Sequence, residues 1–95
     1  MTKHKHALTA VKNPTFDLCA GAHATADSTT LTFVNHHNAS CLIGGLGGLV
    51  DCGNSFTVDP QSSRTCNILP GAAAGTYEYS ASCCRQEQNP SIIYQ

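Results

Sequence analysis

The chain is 95 residues long, which allows one modest hydrophobic core and leaves no room for a second domain. Five Lys and Arg stand against six Asp and Glu, a formal charge of -1, so no basic field exists to hold a phosphate backbone, and nucleic acid is excluded as a natural partner. Only 12% of residues are charged while 41% are hydrophobic, and the remainder is rich in Thr, Ser, Asn, Gly and Ala, which suits a β-rich extracytoplasmic protein better than a cytosolic helical one.

Met1-Thr2-Lys3-His4-Lys5-His6 shows no pattern and reads as a disordered terminus. No apolar stretch follows its basic residues, so the expectation is a mature periplasmic or extracellular chain without its signal peptide, with Met1 an addition. If Met1 is absent, Thr2-Lys3-His4 presents an amino group with a histidine at the third position, a set of nitrogens that can wrap Cu(II) or Ni(II) in a plane.

Ala7 to Val11 and Thr15 to Cys19 read as short strands separated by Asn13-Pro14, where the proline fixes φ and removes a donor, so this segment suits a sheet edge. Cys19 to Ser28 is small and polar and reads as a connection. Thr29 to Asn35 alternates strictly, with Leu31 and Phe33 on one face and Thr30, Thr32 and Val34 on the other, the clearest strand pattern in the chain.

Cys41 to Val50 is the longest weakly polar run, yet it is about half of a membrane span and carries four glycines. It reads as a strand and loop, with Leu42 to Val50 offering an apolar, adaptable contact surface. Ser55 to Val58, Arg64 to Leu69, Gly75 to Ala81 and Pro90 to Tyr94 repeat the β pattern between turn signals at Asp59-Pro60, Pro70-Gly71 and Asn89-Pro90. Roughly seven short strands at this spacing predict an all-β sandwich or small barrel. Helix signals are poor: Ala72-Ala73-Ala74 is too short, and the glycines of 42–50 each cost helix stability.

Six cysteines, Cys19, Cys41, Cys52, Cys66, Cys83 and Cys84, dominate the chemistry. The even count favours up to three disulfides in an oxidising compartment, and spacing alone leaves the pairings open. Zinc fingers are built on Cys-x-x-Cys pairs, and the chain has none. An enzyme reading does not assemble. Asp51, Asp59, Glu78 and Glu87 are scattered, Ser40 and Ser82 lack a nucleophile-elbow setting, and Gly44 to Gly48 lacks the Lys and Ser/Thr of a phosphate loop. Asn38-Ala39-Ser40 has the form of a glycosylation acceptor, relevant only on a eukaryotic secretory route.

Leu31-Thr32-Phe33-Val34-Asn35 followed by Cys41-Leu42-Ile43 resembles the cupredoxin segment in which a strand ends in Phe-x-Asn and a copper-ligating histidine follows about six residues later. Gly75-Thr76-Tyr77-Glu78-Tyr79-Ser80-Ala81 is similar to the penultimate cupredoxin strand, and Pro90 to Tyr94 looks like the closing one. The resemblance implies a Greek-key, disulfide-stabilised β-sandwich of the plastocyanin and azurin type. It does not carry the type 1 copper ligands with it. Cys41 stands where the first ligand histidine would be, Ala81 where the ligand cysteine would be, and Cys84 where the second histidine would be.

In a cupredoxin the loops after these two strands meet at one end of the sandwich, which implies that Cys41 lies near Cys83 and Cys84. The resemblance then implies a bridge from Cys41 to Cys83 or Cys84. Cys19 would take whichever of the two remains, because adjacent cysteines join each other only through a strained ring. Cys52 and Cys66 flank the Ser55 to Val58 strand, and a hairpin-like bridge there closes a loop of about fifteen residues. The alternative is a site for copper or zinc at the same end, with Cys41, Cys83 and Cys84 as thiolates and His36 or His37 as imidazole. A reactive Cys83-Cys84 pair finds only Arg85 as a neighbouring cation. The expectation is therefore a protein-binding module without cofactor or enzymatic activity, and the alternative is a small metal-binding or electron-transfer protein.

Overall fold

Alternation of large apolar side chains builds the core of the chain. In the computed structural model, which describes residues 9–85 and 90–95, the best example is β3 (Thr30–Asn35), where Leu31, Phe33 and Asn35 point inward and their neighbours do not. Phe33 meets Phe16 edge-on with ring centroids 4.9 Å apart, and Phe56 at 5.2 Å, while Tyr79 lies 6.4 Å from both Phe16 and Phe33. Edge-to-face contacts of this kind add to the burial of the rings themselves.

The described residues form nine strands and no helix. Three ladders make up the all-β sandwich. In the first, β3 pairs in parallel with β1 (Thr15–Asp17) and antiparallel with β6 (Ser62–Asn67). In the second, β9 (Ser91–Tyr94) pairs in parallel with β2 (Ala22–Ala24) and antiparallel with β7 (Gly75–Glu78). In the third, β4 (Cys41–Gly44) lies between β5 (Ser55–Val58) and β8 (Ser80–Ala81), antiparallel to both. β1 is an edge strand of its ladder, as the Asn13-Pro14 bend requires. Asn13 adopts φ 54°, and its side-chain oxygen accepts from the Thr29 and Thr30 amides at 2.7 and 3.1 Å, tying that bend to the start of β3.

The structure differs from the sequence reading in four places. Cys19 to Ser28, read as a connection, contains β2, whose inward Ala22 and Ala24 are buried side chains too small to register as an apolar alternation. Gly75 to Ala81 is two strands, because the chain breaks at Tyr79, whose amide donates to the Pro90 carbonyl, and Ser80–Ala81 moves to a different ladder. The Leu42 to Val50 segment is not a continuous apolar surface: Ile43, Leu46, Leu49 and Val50 are buried, and Leu42 is its one exposed large apolar side chain, at 54%. A turn in which the Leu49 and Val50 amides both donate to the Leu46 carbonyl folds those side chains under the sheet. Gly45 enters that turn at φ 97°, where a Cβ would lie 3.1 Å from the Glu78 carbonyl oxygen, so a side chain there is strained. Of the Ala7 to Val11 strand, Val11 makes a single parallel bridge with Ala24, and residues 7 and 8 lie outside the described residues.

Candidate functional site

Three strand ends converge on the candidate site. β1 ends at Asp17 and turns through Leu18 and Cys19, with the Ala20 amide donating to the Asp17 carbonyl at 3.0 Å and Cys19 at φ 77°. A residue with a side chain rarely takes this left-handed conformation, and here it marks where the chain leaves the edge of the sheet. β3 ends at Asn35 and is followed by the exposed loop 36–40, after which β4 starts at Cys41. β8 ends at Ala81 and turns through Ser82 to Cys84, whose amide donates to the Ala81 carbonyl at 3.0 Å.

Two disulfides join these three ends. Cys41 is bonded to Cys83 with Cα atoms 5.3 Å apart, and Cys19 to Cys84 with Cα atoms 5.4 Å apart. The adjacent cysteines thus take separate partners, one in the loop end of β4 and one in the turn after β1. The third bridge, Cys52 to Cys66, spans 14 residues around β5 and leaves no free cysteine in the chain. Hydrogen bonds reinforce the join: the Leu42 amide donates to Ser82 Oγ and the Ser82 amide to the Leu42 carbonyl, each at 3.0 Å.

The two loop histidines part company. His36 Nε2 lies 2.8 Å from Asp17 Oδ1, and both side chains are about two-thirds exposed (66% and 65%), a surface pair of the kind that contributes little to stability. His37 instead lies with the sulfurs. One of its ring nitrogens, Cys19 Sγ and Cys83 Sγ are all within 4.8 Å of one another. The His37 amide donates to Asn35 Oδ1 at 2.8 Å and its carbonyl accepts from the Gln61 amide at 3.1 Å, so its backbone is held on both sides.

Of the residues read from the sequence as a metal set, Cys83 and His37 come together, with Cys41 and Cys84 each one disulfide bond from the cluster, while His36 is engaged by Asp17. Cys19, assigned only a stapling role, is a full member. Nothing local to Cys19 announces this, because β1 reaches the site through parallel pairing with β3, in which Asp17 lies opposite Val34. Ala81 is buried and pairs with Ile43. Thr2, Lys3 and His4 lie outside the described residues. A type 1 copper centre needs a thiolate, two imidazoles and usually a thioether. Every cysteine of the chain is in a disulfide, and Met1 is its one methionine.

No protein-family model matches the chain, and no curated protein sequence matches it significantly. Solved structures do match. A Cu(I) amicyanin in which a methionine is replaced by glutamine is 14% identical, covering 86% of this chain and 81% of that chain with a TM-score of 0.59. A Cu(I) amicyanin with a methionine replaced by alanine is 15% identical over 92% of this chain and 86% of that chain, TM-score 0.55. An oxidized amicyanin with a methionine replaced by leucine is 13% identical over the same shares, TM-score 0.56. The chain therefore has a cupredoxin-like fold, an all-β sandwich with three disulfides. Identities this low establish the fold and not the chemistry.

Proposed function

We propose that the chain is a non-enzymatic, protein-binding module of the periplasm or the extracellular space, built on a cupredoxin-like sandwich whose loop end is closed by disulfides in place of type 1 copper. One observation carries this reading: the Cys41–Cys83 and Cys19–Cys84 bridges close the end of the sandwich at which the sequence resemblance would place a copper ligand set. Three disulfides persist in an oxidising compartment, which supports the location. Among the described residues no helix is long and apolar enough to cross a membrane. The exposed loop 36–40 and the exposed Leu42 form the surface offered to a protein partner.

The test is a thiol count on the denatured, unreduced chain, together with mass mapping of the bridges. No free thiol is expected, and added Cu(II) should give no intense thiolate-to-copper band in the visible. Two or four free thiols, with Cys41 and Cys84 among them, would overturn the reading in favour of a thiolate metal site. That second reading has its own support in the grouping of Cys19, His37 and Cys83, whose donor atoms lie within 4.8 Å of one another.

A further inference from the structure

We infer that the paired disulfides at the loop end are a closed form of a metal site, and that reduction opens it to a soft d10 cation, Zn(II) or Cu(I), held by Cys19, Cys83 and His37. This rests on the disulfide-closed reading above and makes the donor grouping of the second reading its reduced form. A tetrahedral site for such a cation needs thiolate and imidazole donors converging on one point. The structure already brings two sulfurs and one imidazole nitrogen within 4.8 Å of one another. The sulfurs of Cys84 and Cys41 are bonded to those of Cys19 and Cys83, so a fourth donor stands one former S–S bond away.

What prevents binding is oxidation state, since a disulfide sulfur is a poor donor and the thiolate is the ligand form. Cys19, Cys83 and Cys84 are each partly exposed residues, so each bridge has at least one end near the surface from which a reductant arrives, while Cys41 is fully buried. Two equivalents of an external dithiol supply the electrons. Each dithiol attacks one bridge, passes through a mixed disulfide and leaves as a cyclic disulfide, so each bridge gains two electrons and two protons and becomes two thiols. Zn(II) then displaces one proton from each thiol it binds. His37 is suited to the imidazole role because its amide donates to the buried Asn35 side chain at 2.8 Å, which holds the residue at the cluster, whereas His36 is engaged by Asp17.

The experiment uses the full chain, oxidised or reduced with dithiothreitol and desalted without oxygen, titrated with Co(II) as a spectroscopic stand-in for Zn(II). The reduced chain should show thiolate-to-Co(II) charge-transfer bands and tetrahedral d–d bands that Zn(II) abolishes, and the oxidised chain should show neither. His37→Ala should weaken Co(II) binding by about tenfold or more, because even supporting residues around a metal cost that much when removed. The double variant Cys52→Ser/Cys66→Ser should bind as the parent does. The proposal is overturned by a reduced chain without charge-transfer bands, by a His37→Ala chain of unchanged affinity, by loss of binding in the Cys52/Cys66 variant, or by equal affinity and spectrum in urea, which would mean that any unfolded set of thiols suffices. Bands in the oxidised chain would instead sink the disulfide-closed reading on which the first proposal stands.

Discussion

The Asn35 side-chain amide donates to the Val58 carbonyl at 3.1 Å, fastening the last residue of β3 to the last residue of β5. The same nitrogen also serves the Asp59 carbonyl at 3.1 Å and the Ala39 carbonyl at 2.9 Å, and the side-chain oxygen accepts from the His37 amide. Asn35 is 1% exposed and its bond to the Val58 carbonyl is buried, so no water takes over that bond when the side chain is lost. Asn35→Ala should therefore destabilise the fold by ~2–3 kcal/mol, the cost of leaving buried acceptors unpaired. A fall in melting temperature of roughly 10–20 °C, followed by circular dichroism, is the corresponding reading for a chain of this size. Asn35→Asp should fare little better, because it keeps the shape and loses the donors. A melting temperature within a degree or two of the parent would show that the loop end is organised by its disulfides alone.

The three bridges should contribute unequally. In the chain-entropy picture a bridge constrains the unfolded chain more as its loop lengthens, and the Cys52–Cys66 separation of 14 corresponds to about 3 kcal/mol. Cys19–Cys84 spans 65 residues and should contribute about 1 kcal/mol more. Urea denaturation of Cys52→Ala/Cys66→Ala and of Cys19→Ala/Cys84→Ala tests the order. If the shorter bridge proves the more stabilising, local packing around Cys66, which is buried against the sheet, outweighs loop length.

Tyr79 sets the alkaline limit. Its ring packs against Phe16 and Phe33, its hydroxyl donates to the Ala20 carbonyl at 2.7 Å, and burial pushes its pKa up to about 12. In the unfolded chain a tyrosine ionises near pH 10. Between the two values the unfolded state loses a proton that the folded state keeps. The stabilising contribution is thus complete below about pH 10, declines as pH rises, and is gone above about pH 12. Tyr79→Phe should lose about 1 kcal/mol at neutral pH through the missing hydrogen bond. It should also flatten the dependence of stability on pH between 10 and 12, measured by urea midpoints. A variant with the parent's alkaline slope would place that dependence elsewhere.

The parts of the fold written in large side chains were legible in the sequence. The Leu31 and Phe33 alternation marked β3, and Ser55 to Val58 coincides with β5, because bulky and β-branched residues at period two have few other uses. β2 escaped because its inward groups are the methyls of Ala22 and Ala24. The burial of Leu46 and Leu49 escaped because glycine-rich sequence describes what a backbone can do, not which way it turns. At the candidate site the ambiguities were those of adjacent residues. Cys83 and Cys84, like His36 and His37, are equivalent in composition and spacing, and only the direction of the backbone through a turn decides which one faces Cys41 or the sulfur cluster. Cys19 was legible as the partner of whichever of Cys83 and Cys84 Cys41 left over, but its approach to His37, and that of Asp17 to His36, were not, because both arrive through the parallel pairing of β1 with β3, a long-range relation that leaves no local pattern.

Asp51 should govern part of the acid limit. Its two carboxylate oxygens accept from the Asn67 amide and the Asn67 side-chain nitrogen, both at 2.9 Å, and its own amide donates to the Asn67 carbonyl at 2.9 Å. These bonds join the turn before β5 to the end of β6, beside the Cys52–Cys66 bridge. The side-chain bond from Asn67, with its backbone bond second, holds the Asp51 carboxyl below its ordinary value of 3.8. A depressed pKa in the folded state means that the contribution is present above the unfolded value and is lost as pH falls through the folded one. Asp51→Asn keeps one acceptor and loses the charge, so it should lower stability at pH 7 and bring parent and variant together as the carboxylate protonates below about pH 3.8. Urea midpoints measured at neutral pH and near pH 2 check this directly. A gap between parent and variant that persists unchanged at pH 2 would assign the effect of Asp51 to the geometry of its turn, with no share for its charge.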